Sequence, residues 1–379
     1  MKETDNPSDI CTHLGDDYDR YLGAIVPPLF QNSLFTRKTE NHGYSYSRIN
    51  NPTIELLEAK LAALEHAEAA RVFASGMAAI AATVSSQLRA GDHVVALRSA
   101  YYPVSRFLID VMGKYGVTAD FVEYGTPDEW ERAVKPSTKL FYLETPSSNI
   151  FQILDLQAIV GVAKRHGITT VADNTWATPL YQNPLTFGVD YVVHSATKYL
   201  GGHSDLIAGV VMGNREALDR IRGEERAMWG AALDPFAAWL LTRSLRTLEI
   251  RMRRHSSSAT AVAALLEKSD RVKKVYYPGL PSHEGRAIAD RQMRGFSGLL
   301  SFVLDADEER AMRFAKAVAV FQEGPSWGGF ESVLNTPGLC ADPQVRRFQC
   351  VPDGLIRASI GLESEAALLD AFEAGLRNL

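Results

Sequence analysis

The sequence has few cysteines and no long apolar run, and each shortage removes a class of protein. Only Cys11, Cys340 and Cys350 occur among 379 residues, an odd number without CxxC spacing, so neither a disulfide framework nor a structural zinc site is expected. They read as ordinary reduced thiols. No stretch approaches the ~18 uninterrupted apolar residues of a membrane helix. The opening MKETDNPSDICTHLGDDYDR lacks the basic and then apolar order of a secretory signal. A cytoplasmic location without a membrane partner is therefore the expectation. Charge of one sign is missing too, because the formal net charge of -5 comes with both signs intermixed. The densest basic run, Arg251, Arg253 and Arg254, falls in a helical pattern with Leu248 and Met252. A solvated or interface-facing helix surface suits it better than a nucleic-acid partner.

What is present is ample core material: 46% hydrophobic and 22% charged residues, in a chain long enough for two or three packed units. Residues 1–45 are polar and rich in Gly and Pro, which predicts an arm draped over something else. TIELLEAKLAALE then repeats Ile54, Leu57, Leu61 and Leu64 at helical spacing. Short apolar runs follow: HVVAL (93–97), ADFVEY (119–124), KLFYLE (139–144), ITTVAD (168–173), DYVVHS (190–195) and LIAGVVM (206–212). Helical stretches such as LQAIVGVAKRHG, closed by Gly167, separate them, and this alternation predicts a largely parallel sheet covered on both faces. The expected units are a 46–240 α/β domain and a smaller 241–379 α+β domain. A long helical pattern from Pro235 toward Leu266 joins them. RVKKVYY, LLSFVL and LIRASI are strand candidates, with helices near 307–319 and 364–377.

Four segments carry chemistry. The apolar strand before Ser195-Ala196-Thr197-Lys198 empties into hydroxyls and an amine, at the strand end where α/β sheets place ligands. A lysine in a partly dehydrated site there is nucleophilic enough to form a Schiff base, although taken alone Lys198 reads as a surface lysine. Asp173 ends another strand; beside a pyridine nitrogen it would keep that nitrogen protonated, and alone it reads as a turn or cap residue. Ser75-Gly76-Met77 opens a helix of small residues, a cradle for phosphate or a plain N-cap by Ser75. Tyr46-Ser47-Arg48 offers a phenol and a guanidinium suited to phosphate oxygens, or an ordinary loop pair.

Together these segments resemble a known family, the pyridoxal 5'-phosphate (PLP) enzymes of cysteine and methionine metabolism. Further likeness lies in Gly23-Ala24-Ile25-Val26-Pro27-Pro28, Asn51-Pro52-Thr53 and Arg357-Ala358-Ser359-Ile360-Gly361-Leu362-Glu363, in the same order along nearly the whole chain. The resemblance implies an α/β fold of PLP fold type I, the aspartate aminotransferase-like kind. Lys198 would hold the cofactor, Asp173 would pair with its ring nitrogen, and Tyr101 would stack on its ring and assist catalysis. Ser75, Gly76, Met77, Ser195 and Thr197 would bind its phosphate. Tyr46 and Arg48 would reach the phosphate of a neighbouring subunit, making a dimer the minimum unit and a homotetramer the expected assembly. Arg357 would hold the carboxylate of a small amino-acid substrate, with Ser148 and Ser326 beside it.

Within the family, Trp176, the stretch Tyr101-Tyr102-Pro103 and Ser326-Trp327-Gly328-Gly329-Phe330-Glu331-Ser332 look most like bacterial cystathionine β-lyase. Trp176 and Trp327 read equally as pocket walls or core aromatics. Ser148 stands where most relatives have Asn, and Pro325 where they offer a polar side chain. The expected reaction is β-elimination from cystathionine or another S-substituted cysteine. The alternatives are γ-elimination or γ-replacement and, from another class, a PLP-binding protein without turnover.

Overall fold

A computed structural model describes residues 6–340 and 342–379. Seven strands form the larger sheet: β1 (Ala69–Phe73), β2 (His93–Leu97), β3 (Thr118–Val122), β4 (Thr138–Glu144), β5 (Thr169–Asp173), β6 (Tyr191–Ser195) and β7 (Gly209–Gly213). Their spatial order is β1-β7-β6-β5-β4-β2-β3. Strands β2 to β6 pair in parallel, and β7 alone runs antiparallel, to both β6 and β1. The apolar runs are continuous, not alternating, because helices cover both faces. Val94, Val95, Leu140, Phe141, Val171, Val192 and Val193 are all fully buried, each contributing roughly 1.5–3 kcal/mol of transfer free energy.

The covering helices start and stop where the sequence says. Asn51 caps Pro52–Glu65 by accepting from the Thr53 N–H. Asp155 caps Leu156–His166, which ends on Gly167 at φ 64°. The pattern from Pro235 is two helices, Pro235–Leu245 and Leu248–Glu267, broken at Arg246-Thr247. The reading of Arg251 as a surface residue is corrected here: it is buried and donates to the carbonyls of Tyr199 at 2.7 Å and Ser244 at 2.9 Å. Arg253 remains exposed and pairs with Glu249.

A second sheet holds β8 (Val272–Tyr276), β9 (Leu299–Leu304), β10 (Gln322–Glu323), β11 (Val333–Asn335) and β12 (Leu355–Ser359), in the order β10-β11-β12-β9-β8. Each sheet has its own apolar core, and Tyr181 and Trp327 pack against both. Among the described residues no helix is long and apolar enough to cross a membrane.

Candidate active site

Parallel strands end on the same edge of a sheet, so the neighbours β2, β4, β5 and β6 deliver their C-terminal residues side by side. Asp173 ends β5, directly in register with Glu144 at the end of β4. Strand β6 runs into the Lys198 segment, and the turn after β2 carries Tyr101. The helix Gly76–Ser86 points its N-terminus at the same place. From the second sheet come Arg357 on β12 and the segment Pro325-Ser326-Trp327. These pieces enclose a cavity of about 370 Å³ lined by Ser75, Gly76, Met77, Tyr101, Ser148, Asp173, Ser195, Thr197, Lys198 and Arg357. Ser326 stands just behind, its hydroxyl accepting from Lys198 Nζ at 2.9 Å.

Tyr46 and Arg48 are not brought to this cavity. The Arg48 guanidinium lies 5.7 Å from the centroid of the exposed Tyr46 ring and donates to the Ala227 carbonyl. Trp176 and Trp327, read as wall or core, both line the cavity. The Trp176 indole donates to the Leu299 carbonyl at 3.2 Å and sits 6.0 Å from the Phe151 ring.

The electrostatics follow from burial. Burial first, and then the Arg357 charge, lower the Lys198 amine to about 8, so a substantial fraction is neutral and nucleophilic near neutrality. Its Nζ lies 5.3 Å from the Trp327 ring centroid. Asp173 is buried and its carboxyl is pushed up by desolvation. Its partners are the Thr175 N–H at 2.9 Å, the Thr175 hydroxyl at 2.5 Å and the Tyr142 hydroxyl at 3.4 Å. No basic side chain pairs with it among the described residues. Arg357 is likewise buried and lowered by desolvation to about 10. It donates to two neutral oxygens, Asn149 Oδ1 at 3.4 Å and the Pro325 carbonyl at 2.5 Å, and among the described residues to no carboxylate. Buried charges of this kind call for a counter-ion from a ligand.

The helix start is packed backbone on backbone. A Cβ on Gly76 would meet Ser195 Cβ at 2.7 Å, and one on Gly209 would meet the Ser75 carbonyl at 2.1 Å. Ser75 does cap the helix, accepting from the Ala78 N–H at 3.1 Å, which leaves the N–H groups of Gly76 and Met77 as the first of a helix, without intrahelical acceptors. Thr197 is tied to Ala208 through its hydroxyl, as donor at 3.2 Å and acceptor at 3.1 Å.

Three site residues escaped the sequence reading. Glu144 lines the cavity, Thr175 links Asp173 to the Ser195 N–H at 2.9 Å, and Asn149 holds Arg357. The available signal was an acid ending two successive strand runs, Glu144 and Asp173.

An aldehyde for the amine, a pyridinium for the buried acid and a phosphate for the helix start are the three parts of one molecule, pyridoxal 5'-phosphate. Fold and site thus define a PLP-dependent enzyme of fold type I. A profile described as Cys/Met metabolism PLP-dependent enzyme matches residues 8–377, and the chain belongs to that family, with pyridoxal phosphate as its cofactor. It is 39% identical to an L-methionine gamma-lyase of Pseudomonas deceptionensis, over 96% of each chain. It is 40% identical to a cystathionine beta-lyase of Lactococcus lactis subsp. cremoris, over 96% of this chain and 97% of that one. Among solved structures, that of metB from Corynebacterium glutamicum superposes with a TM-score of 0.94 at 36% identity, covering 98% of both chains.

Proposed function

We propose that the protein is a carbon–sulfur lyase that expels the thiol from the β-carbon of an S-substituted cysteine such as cystathionine, yielding pyruvate, ammonia and the thiol. Bound pyridoxal phosphate supplies the electron sink for negative charge at the substrate α-carbon. Arg357 fixes the α-carboxylate by two parallel N–H donors. Asp173, as a carboxylate beside the ring nitrogen, would keep that nitrogen protonated. Lys198 Nζ takes the α-proton, its reach set by the side chain that positions it, and the Ser326 hydroxyl accepts from the same nitrogen. Tyr101, half-exposed at the cavity mouth, orients the ring and assists the departing group. Phe151, Trp176 and Trp327 keep water from the reacting atoms.

The observation that supports the β reading is that Lys198 is the one amine lining the cavity among the described residues, lowered by burial to about 8 and so able to take the single α-proton that β-elimination requires. β-Elimination needs one C–H proton removed, whereas γ-elimination needs a second at the β-carbon. Identity of 39% to a methionine gamma-lyase favours the second reading, γ-elimination or γ-replacement by the same residues. The product separates them: pyruvate is expected, and 2-oxobutyrate overturns the assignment.

The same assay tests breadth. Glu323, an acid near Pro325 in sequence, is exposed and does not line the cavity, and the Pro325 carbonyl is engaged by Arg357. A site without a polar partner for the distal end discriminates little. The expected result is comparable kcat/KM for cystathionine and a short S-alkylcysteine; a preference for cystathionine of ~10⁴ or more would contradict this.

We also propose that Tyr46 and Arg48 serve the cavity of a second copy, with residues 1–45 as the crossing arm, in a dimer that pairs into a homotetramer. Their absence from their own cavity supports this, as do the exposed Leu22, Ile25 and Leu34 on the arm and Ile207 at the cavity mouth. Mixing inactive Arg48→Ala with inactive Lys198→Ala protein is expected to restore part of the activity, because one site in each mixed dimer is intact. Mixed dimers that form yet remain inactive would count against a shared site.

A further inference from the structure

Every ionisable group in the cavity has a role in the scheme above except Glu144. It is 7% exposed, lines the cavity, and makes two well-formed hydrogen bonds to two different walls. Its Oε2 accepts from the Tyr101 backbone N–H at 2.7 Å, and its Oε1 accepts from the Ser148 hydroxyl at 2.8 Å. The sheet order explains why it can do this. β4 lies between β2, whose following turn carries Tyr101, and β5, whose last residue is Asp173. We infer that Glu144 is a positioning residue: its carboxyl ties the Tyr101 turn to the Ser148 loop and thereby sets where Tyr101 stands against the cofactor ring.

Three observations support the assignment. Tyr101 is 47% exposed, so its own chain packs it loosely and its backbone sets much of its place. The turn is held on its other side as well, by the Gln349 amide donating to the Ala100 carbonyl at 3.0 Å and by the Val104 N–H donating to the Tyr101 carbonyl at 2.9 Å. Glu144 is thus the inner of several anchors and the only one that also reaches the substrate side. Third, no basic side chain pairs with Glu144 among the described residues, and burial followed by the neighbouring Asp173 pushes its carboxyl up to about 8. Burial raises both neighbouring carboxyls, and Asp173, which accepts from three donors, is the better placed of the two to carry the negative charge on the cavity floor. A second carboxylate one strand away would otherwise compete for the ring nitrogen's positive charge. Positioning and charge restraint therefore ask for the same side chain, an oxygen acceptor that is neutral in use.

The inference rests on the proposed place of Tyr101 beside the cofactor, and its test does not depend on which elimination the enzyme performs. Glu144→Gln keeps a neutral acceptor of the same shape, and Glu144→Met keeps the volume without any acceptor. Two quantities are measured for each purified variant: the dissociation constant for pyridoxal phosphate, by titrating apoprotein and following cofactor absorbance, and the spectral response to glycine, which has no leaving group. The Gln variant is expected within about threefold of the parent in both. The Met variant is expected to bind the cofactor ~10- to 100-fold more weakly, the scale of a buried donor left without its acceptor, with kcat falling more than KM rises. A Met variant with parental cofactor affinity overturns the inference, as does a Gln variant as impaired as Met. If the Met variant does not fold, the Gln variant decides alone: a loss above tenfold there shows that the acceptor's position is not what matters. Wrong reaction chemistry would alter the products and leave these binding constants unmoved.

Discussion

Lys198→Ala is expected to lose at least ~10³-fold in kcat while still binding pyridoxal phosphate reversibly, since general acid–base transfer alone contributes about 10²–10⁴-fold and the capture of the cofactor is lost with it. The proposed phosphate cradle and the proposed contacts of Asp173 and Tyr101 lie outside the substitution, so cofactor absorbance should shift without vanishing. In the parent, borohydride reduction followed by peptide mapping should place the pyridoxyl group on Lys198, and label on another lysine would refute the assignment. A pH dependence follows as well. The neutral amine is the nucleophile, and burial with the Arg357 charge puts its pKa near 8. The rate at which apoprotein captures the cofactor should therefore rise with pH through about 8 and level off above it. A lysine of ordinary basicity would keep the rate climbing beyond pH 10.

Arg357→Met is the second large effect. The guanidinium is buried and, among the described residues, bonds to Asn149 and the Pro325 carbonyl and meets no carboxylate. Removing it should lower kcat/KM by about 10²- to 10³-fold, the scale measured for a buried charge partner, with a much smaller loss of cofactor affinity at neutral pH, since the Arg357 charge is the lesser cause of the Lys198 shift. Stability should move the other way. Leaving an unpaired charge out of water is unfavourable, so an apolar side chain of similar length is expected to hold or raise Tm. A variant that melts earlier and binds substrate normally would show that Arg357 is a structural residue.

Much of this site was legible because strand runs announce their ends. Asp173 and Lys198 stand where an apolar run gives way to polar residues, and in a parallel sheet that is the ligand-bearing edge. The helix over 76–86 was visible from its small residues and Ser75 cap. Strand β1 was not, because AARVF carries Arg71 at its centre, and only tertiary structure supplies the ion pair to Glu58 at 3.3 Å that lets a charged residue sit in a fully buried strand. The antiparallel direction of β7 was equally hidden, since an apolar run has no polarity. Arg251 misled for a related reason: a basic run on a helix looks solvated until a neighbouring segment offers the Tyr199 and Ser244 carbonyls. Glu144 and Asn149 were missed because their importance lies in contacts to residues 43 and 208 positions away, which periodicity does not report.

The cavity draws on two sheets with unequal duties. Lys198, Asp173 and the Ser75-Gly76-Met77 start belong to the first, whereas Arg357 and the segment from Pro325 to Trp327 belong to the second. On the roles proposed above, activation chemistry falls to the first stretch and the grip on the substrate carboxylate to the second, so one can drift while the other stands still. A single ancestor could diversify its diet by editing the later stretch alone. That relatives named for β- and γ-elimination stand at 40% and 39% identity to the same chain is what such a division of labour permits.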